Sequence, residues 1–452
     1  MSEDSAARDV AQAATAAVGA TTAAASAVTG SWRRAGLAGA AIGVIAASAA
    51  AGVAIDKLTV SRGMRRRARL ALDTAGPYGT LRGTPGRAIA DDGTALYYEV
   101  DETGDAEQAG EGEAAPGTGE APGSDTSARP GKAAKGAKGT KADPTGAAHA
   151  AAGTPPVTVV FSHGYCLNQD SWHFQRADLR GRVRTVHWDQ RSHGRSARGA
   201  AQSGPDPEPV TIEQLGRDLK AVIDAAAPEG PLVLAGHSMG GMTIMALADQ
   251  YPDLIRERVV GVALVGTSSG RLGEITYGLP AFGANAARRV LPGVLKVLGG
   301  QSALVEKGRR ATADLYAGII KRYSFGGQDV DPAIARFGER MIENTPIDVV
   351  AEFYPAFTDH DKVQALAVFL RTPALILAGA DDLITPSSHS EAIADVLPDA
   401  ELVLVEGAGH LVMLEHPDAV TERLADLLAR AGAPGFARNV GGHGSTAQQP
   451  RD

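Results

Sequence analysis

Leu232-Val233-Leu234-Ala235-Gly236-His237-Ser238-Met239-Gly240-Gly241-Met242-Thr243-Ile244-Met245-Ala246 decides how the rest of the chain is read. A short apolar run enters G-x-S-x-G and a helix-forming run leaves it. A strand that turns sharply into a helix needs small residues on both sides of the turn, and Gly236 and Gly240 supply that space. The central side chain is then held up at the sheet edge, which makes Ser238 a candidate nucleophile. The five-residue pattern alone is weak in a chain with 55 glycines, and the strand-then-helix context is what strengthens it. The competing reading is a glycine-rich turn carrying an inert serine.

The chain has 452 residues, enough for two or three domains by length. Composition argues for fewer. Long Ala/Gly/Pro-rich stretches lack the large apolar residues needed to offset chain entropy. A net charge of −8 argues against general nucleic-acid binding. Cys166 is the one cysteine, so an intrachain disulfide is excluded, and no Cys/His cluster has zinc-like spacing.

Residues 1–34 read as a disordered tail. Residues 35–55 carry no charge and match the ~20 residues a membrane helix needs. The large aliphatics there contribute only about −2 to −4 kcal/mol to insertion. A single span is expected, with a signal peptide of the twin-arginine type (Arg33-Arg34) and an ordinary soluble helix as alternatives. The basic segment 56–75, with Lys57, Arg62, Arg65, Arg66, Arg67 and Arg69, then puts the following domain on the cytoplasmic side. A secreted or cytoplasmic protein is the alternative.

A folded domain is expected over 76–432. It opens with a hairpin, Arg87–Ala90 and Ala95–Val100, around Asp92-Gly93. Residues 102–155 read as a disordered insertion. Strands are then expected at 156–161, 183–188, 231–235, 259–265, 374–377 and 401–405. The amphipathic helix 211–226 opens with the capping box Thr211-x-x-Gln214, and a last helix over 417–431 stops at Gly432. Alternating strands and helices imply an α/β fold, a mostly parallel sheet covered on both faces. Residues 271–370 interrupt the alternation and read as a helical cap. The tail 433–452 reads as disordered.

A serine hydroxyl needs a base within hydrogen-bond reach, and the base needs an orienting acid. His410, in Gly407-Ala408-Gly409-His410 directly after the last strand, is the base candidate. The acid lies in Asp381-Asp382-Leu383-Ile384-Thr385-Pro386, after another strand, with both aspartates open. Two N–H donors are needed for a developing oxyanion. By position these are the backbone N–H groups of Met239 and of Tyr165, in Ser162-His163-Gly164-Tyr165-Cys166. His163 reads as a loop brace, Cys166 as a small buried residue and His416 as structural.

Taken together, the motifs His163-Gly164, Asp189-Gln190-Arg191-Ser192-His193-Gly194-Arg195-Ser196, Gly236-His237-Ser238-Met239-Gly240, Gly379-Ala380-Asp381-Asp382 with Pro386, and Gly409-His410 resemble the α/β-hydrolase fold family. The likeness is to serine hydrolases of the esterase, lipase and cofactor-free haloperoxidase-like groups, over Gly76–Gly432 without the insertion. The family's acid stands three residues after the glycine and four before the proline, which selects Asp382. Ser192 departs from the family's D-x-R-G-x-G-x-S loop, in a loop read as structural. The serine, where epoxide hydrolases and haloalkane dehalogenases carry Asp, argues against those activities.

The resemblance implies a Ser238–Asp382–His410 triad, an acyl-enzyme and a small-molecule acyl substrate. It implies no metal or organic cofactor. A carboxylic ester is the first expectation; thioester, lactone, carbon–carbon bond or perhydrolase chemistry uses the same residues. A non-catalytic, membrane-tethered binding protein on this fold is the alternative from another class. Tyr277, Leu279, Phe282, Leu291, Val294, Leu295, Leu298 and Tyr316 of the cap could line a pocket or serve only as packing.

Overall fold

A computed structural model describes residues 78–104, 155–204, 207–275, 293, 320–327 and 330–436. The tail 1–34, the expected span 35–55, the basic segment 56–75, most of the insertion and all eight pocket candidates of the cap lie outside the described residues. Among the described residues no helix is long and apolar enough to cross a membrane.

One sheet organises the chain. Its strands are β1 (Thr84–Ile89), β2 (Ala95–Asp101), β3 (Thr158–Ser162), β4 (Arg184–Trp188), β5 (Leu232–His237), β6 (Val259–Val265), β7 (Ala374–Gly379) and β8 (Glu401–Val405). They lie in the order β1-β2-β4-β3-β5-β6-β7-β8. The β1–β2 and β2–β4 pairs are antiparallel, and every pair from β4 to β8 is parallel. The hairpin turns through Asp91-Asp92-Gly93, with Gly93 at φ 83°, a conformation a side chain disfavours.

Central strands buried on both faces are apolar at most positions, and β3, β5 and β7 are buried throughout, with Thr158, Ser162 and His237 at their ends. Their side chains alternate between two cores. Leu232 and Leu234 of β5, Val262 and Leu264 of β6, and Ala374 and Ile376 of β7 face one. Val233 and Ala235, Ala263 and Val265, and Leu375 and Leu377 face the other.

The main covering helices are α1 (His173–Leu179), α2 (Ile212–Ala226), α3 (Met239–Gln250), α4 (Pro252–Arg258), α5 (Pro332–Glu343), α6 (Ile347–Thr358), α7 (Ser387–Val396) and α8 (Pro417–Arg430). The first core takes α2 through Leu219, Val222 and Ile223 and α3 through Ile244, Met245 and Leu247. The second takes α8 through Val420, Leu424, Leu427 and Leu428. Gly432, at φ 74°, ends the chain's run after α8 as the sequence suggests.

Three local expectations change. Only half of the capping box forms at α2. Thr211 Oγ1 accepts the Gln214 N–H, while the Gln214 amide reaches Asp91 at 2.9 Å and ties α2 to the hairpin turn. Order continues past Glu102, where the insertion was expected to begin: Glu102 pairs with Arg184 at 3.0 Å and Thr103 bridges Gly181. In the cap stretch, α5 and α6 form as helices, whereas Ala365, Leu366 and Phe369 sit in the same core as α3. The two ends of this stretch are joined, Lys362 N–H to the Ser269 carbonyl at 2.7 Å and His360 Nε2 to the Ser268 carbonyl at 2.8 Å.

Candidate active site

Ser238 sits between β5 and α3 at φ 51°, ψ −118°, a strained backbone for a residue with a Cβ. The neighbours explain how the strain is held. A Cβ on Gly236 would stand 2.5 Å from the Gly240 carbonyl, and one on Gly240 would stand 2.2 Å from the Ser162 carbonyl oxygen. Ser238 donates its N–H to the Val265 carbonyl at 2.9 Å, and its own carbonyl accepts from Thr267 Oγ1 at 2.7 Å. Backbone fixed on both sides leaves the hydroxyl as the presented group.

Loops leaving β7 and β8 bring the other two candidates to that hydroxyl. His410 Nε2 lies 2.9 Å from Ser238 Oγ, and His410 Nδ1 lies 2.8 Å from Asp382 Oδ2. A carboxylate only accepts, so Nδ1 carries the proton and the Nε2 lone pair faces the serine. Asp381 turns its side chain to solvent, and its backbone N–H bonds the Ala408 carbonyl. The structure therefore joins Asp382, rather than Asp381, to the imidazole. Burial alone would raise the Asp382 carboxyl. The attraction and hydrogen bond of His410 and the N–H groups of Thr385 and Ile384 outweigh it, leaving the carboxyl below its usual range.

Two residues in this arrangement escaped the sequence reading. Thr385 gives its N–H to Asp382 Oδ1 and points its hydroxyl at Asp382 Oδ2 (2.8 Å) and the Gly266 carbonyl (2.9 Å). A Thr three residues after an Asp in a loop is the available signal for such a turn. Glu415 accepts the Gly409 N–H at 2.7 Å, and also those of Gly326 and Gly327, which return from the cap stretch. It anchors the residue before His410, and no short pattern announces it.

The loop after β3 lies against the serine turn; a Cβ on Gly164 would be 3.2 Å from Ser238 Cβ. The Gly164 carbonyl accepts from His163 Nδ1 at 2.8 Å and from the Leu167 N–H at 3.2 Å. In a planar trans peptide the N–H points opposite to that carbonyl, so these bonds set the direction of the Tyr165 N–H. His163 Nε2 accepts the Gln190 N–H at 2.9 Å. Both bonds need a neutral imidazole, and burial holds its pKa well below the ordinary value. His163 is thus a brace. Met239 begins α3, so its N–H has no partner within the helix.

Cys166 is buried beside this loop, its N–H on His193 Nε2 at 3.2 Å. In the loop after β4, the Asp189 carboxylate accepts the N–H groups of Gln169 (2.8 Å) and Arg195 (2.9 Å). Burial pushes that carboxyl up to about 6. Ser192 takes φ 63°, the left-handed conformation that the family glycine would adopt freely. Among the described residues no group of three or more His, Cys, Asp or Glu side chains could hold a metal ion.

With this geometry in view, residues 159–423 match the model of the alpha/beta hydrolase family. The chain is 28% identical over 280 residues to the dihydrolipoyllysine-residue acetyltransferase component of an acetoin cleaving system of Pseudomonas putida, covering 62% of this chain and 64% of that protein. It therefore spans slightly less than two thirds of that relative. It is also 28% identical over 279 residues to an sn-1-specific diacylglycerol lipase of Mus musculus, covering 59% of this chain and 80% of the lipase. A thermophilic esterase of Thermogutta terrifontis shares the fold at a TM-score of 0.51 and 20% identity, covering 77% of this chain and 98% of the esterase.

Proposed function

The chain belongs to the alpha/beta hydrolase family, and on that premise we propose that it is a serine hydrolase cleaving a carboxylic ester or related acyl substrate through an acyl-enzyme. The observation that carries this reading is the unbroken hydrogen-bonded line from Asp382 through His410 to Ser238, ending on a strained strand-to-helix turn.

His410 Nε2 takes the Ser238 proton as Oγ attacks the acyl carbonyl. The charge that develops on the carbonyl oxygen is met by the N–H groups of Tyr165 and Met239. His410, now charged, is stabilised by Asp382, whose donors from Thr385 and Ile384 keep it ionised. The imidazolium returns its proton to the leaving alcohol. Water then enters, loses a proton to His410 and releases the acid and free serine. The sn-1-specific diacylglycerol lipase and the esterase among the similar proteins agree with an ester as first substrate.

A fluorophosphonate probe tests the reading, because it reacts with an activated serine and mimics the same attack. The wild type is expected to label and to hydrolyse members of a panel of p-nitrophenyl esters, thioesters and lactones. Ser238→Ala is expected to abolish labelling and lower turnover by on the order of 10⁵–10⁶-fold. Equal labelling of the two proteins would overturn it.

A further inference from the structure

The peptide that carries the Tyr165 N–H and the one after it are each held by an imidazole. His163 takes the Gly164 carbonyl and His193 takes the Cys166 N–H. The residue between them is held differently. Its side chain leaves the loop toward α6, where the phenol donates to the Val350 carbonyl at 2.5 Å. The ring stacks on Phe353 with centroids 6.2 Å apart and meets Phe357 edge-on at 5.0 Å. Phe353 is fully buried in an apolar cluster with Val349, Met239 and Met242, so it offers the Tyr165 ring a rigid surface.

Helix α6 is itself anchored to the loop after β4. Arg198 pairs with Asp348 and, at 2.6 Å, with Glu352. Pro355 lies inside the helix and removes the N–H that would meet the Ala351 carbonyl, next to Val350. A phenol bonded there is a tie between the segment beside the site and the donor peptide itself.

We propose that the Tyr165 side chain is a positioning element of the oxyanion site, docking the donor peptide on α6 so that the packing of this helix governs the rate of acyl transfer rather than substrate affinity. This rests on the acyl-transfer reading above. Displacement of a donor by a few tenths of an ångström weakens its bond to the oxyanion in the transition state and leaves ground-state binding almost unchanged.

The experiment compares wild type, Ser238→Ala, Tyr165→Phe, Phe353→Leu and the Tyr165→Phe/Phe353→Leu double variant, reading kcat, KM, fluorophosphonate labelling rate and thermal midpoint. Tyr165→Phe keeps the ring and removes the tie. It is expected to lower kcat and the labelling rate alike by about 10-fold, with KM within about 2-fold. Its thermal midpoint is expected to stay within about 3 °C of wild type. The double variant is expected to lose no more than the larger single loss, because both changes cut the same tie. Wild-type kcat in Tyr165→Phe, a rise in KM with kcat unchanged, or additive losses in the double variant would overturn the inference. Retained turnover in Ser238→Ala would remove the acyl-transfer reading and the inference with it; an inactive Ser238→Ala beside a fully active Tyr165→Phe removes the inference alone.

Discussion

Two of the buried acidic sites among the described residues differ in the partner each acid faces. At the hairpin end, Asp101 and Glu99 are sealed from solvent around Arg176, with Arg176 Nε 2.7 Å from Asp101 and Nη2 2.8 Å from Glu99. At the other site, Asp382 is equally sealed but faces His410 at 2.8 Å. Burial opposes the Arg176 charge, and Asp101 and Glu99 outweigh it, raising the pKa above its ordinary value. A guanidinium keeps its proton at every step, so that site joins β2 to α1 and can do no proton transfer. An imidazole can gain and lose a proton near neutrality. Asp382 attracts it most strongly when it is charged, which is the state that the proposed attack by Ser238 would form. The same cost of burying a carboxylate thus yields cohesion in one region and, on the proposed reading, supports proton transfer in the other.

Breaking the Asp382–His410 pair, catalytic in the proposed reading, should produce the largest effect. Asp382→Asn is expected to lower kcat by about 10⁴-fold through loss of the tautomer and of charge stabilisation, while the exposed Asp381→Asn stays within about 2-fold. The reverse pattern in parallel kinetics would remove Asp382 from the acid's place. At the cohesive site the cost appears in stability instead. Arg176→Met leaves Asp101 and Glu99 buried without their main cation, and urea unfolding is expected to show a loss of about 3–5 kcal/mol. Turnover per folded molecule is expected to be unchanged. A lowered kcat at full stability would erase the distinction between the two regions.

The smallest effect tests the buried imidazoles against pH. Burial lowers His237 to about 3 and His193 to about 4, and holds His163 and His187 well below the ordinary value. Below pH 6.5 the unfolded chain binds protons that these four refuse, so their contribution is lost as pH falls. Two carboxyls act in the opposite sense, Asp189 raised to about 6 and Glu352 to about 7, both chiefly by burial. His173 and His360 are lowered as well, and Asp218 and Glu339 raised, so six imidazoles stand against four carboxyls. The net is a loss, and stability is expected to fall by about 1–3 kcal/mol per pH unit between pH 6 and pH 4.5. Urea titrations across this window measure it; a flat profile would mean that the imidazoles are not held neutral.

Much of this was legible along the chain because the signals are local. Short, mostly apolar runs mark β3, β5 and β7, and helical spacing of Ile212, Leu215, Leu219, Val222 and Ile223 marks α2. The glycines around Ser238 and the loops after β7 and β8 advertise the site through turn chemistry. Asp381 and Asp382 are alike by composition. Family spacing separated them, and the structure does so by burial and one hydrogen bond. Glu415 and the Arg176 network gave no usable signal, and Thr385 gave only its three-residue spacing from Asp382. Their partners are common residue types, and whether a given Thr or Glu accepts or donates depends on what packs beside it.

The sequence by itself determined the strand-to-helix turn at Ser238, the alternation that builds a parallel sheet, and the strand-end loops that carry Asp381-Asp382 and His410. Each follows from periodicity or turn chemistry within about ten residues. Only the tertiary structure decided that His410 meets Ser238 across 172 positions, that Asp382 rather than Asp381 reaches the ring, and that Tyr165 is tied to α6. The reason is physical. Local propensity acts through bonds and neighbouring backbone, whereas a hydrogen bond between distant side chains exists only after the sheet has brought its strand ends together and excluded the water that would otherwise compete for them.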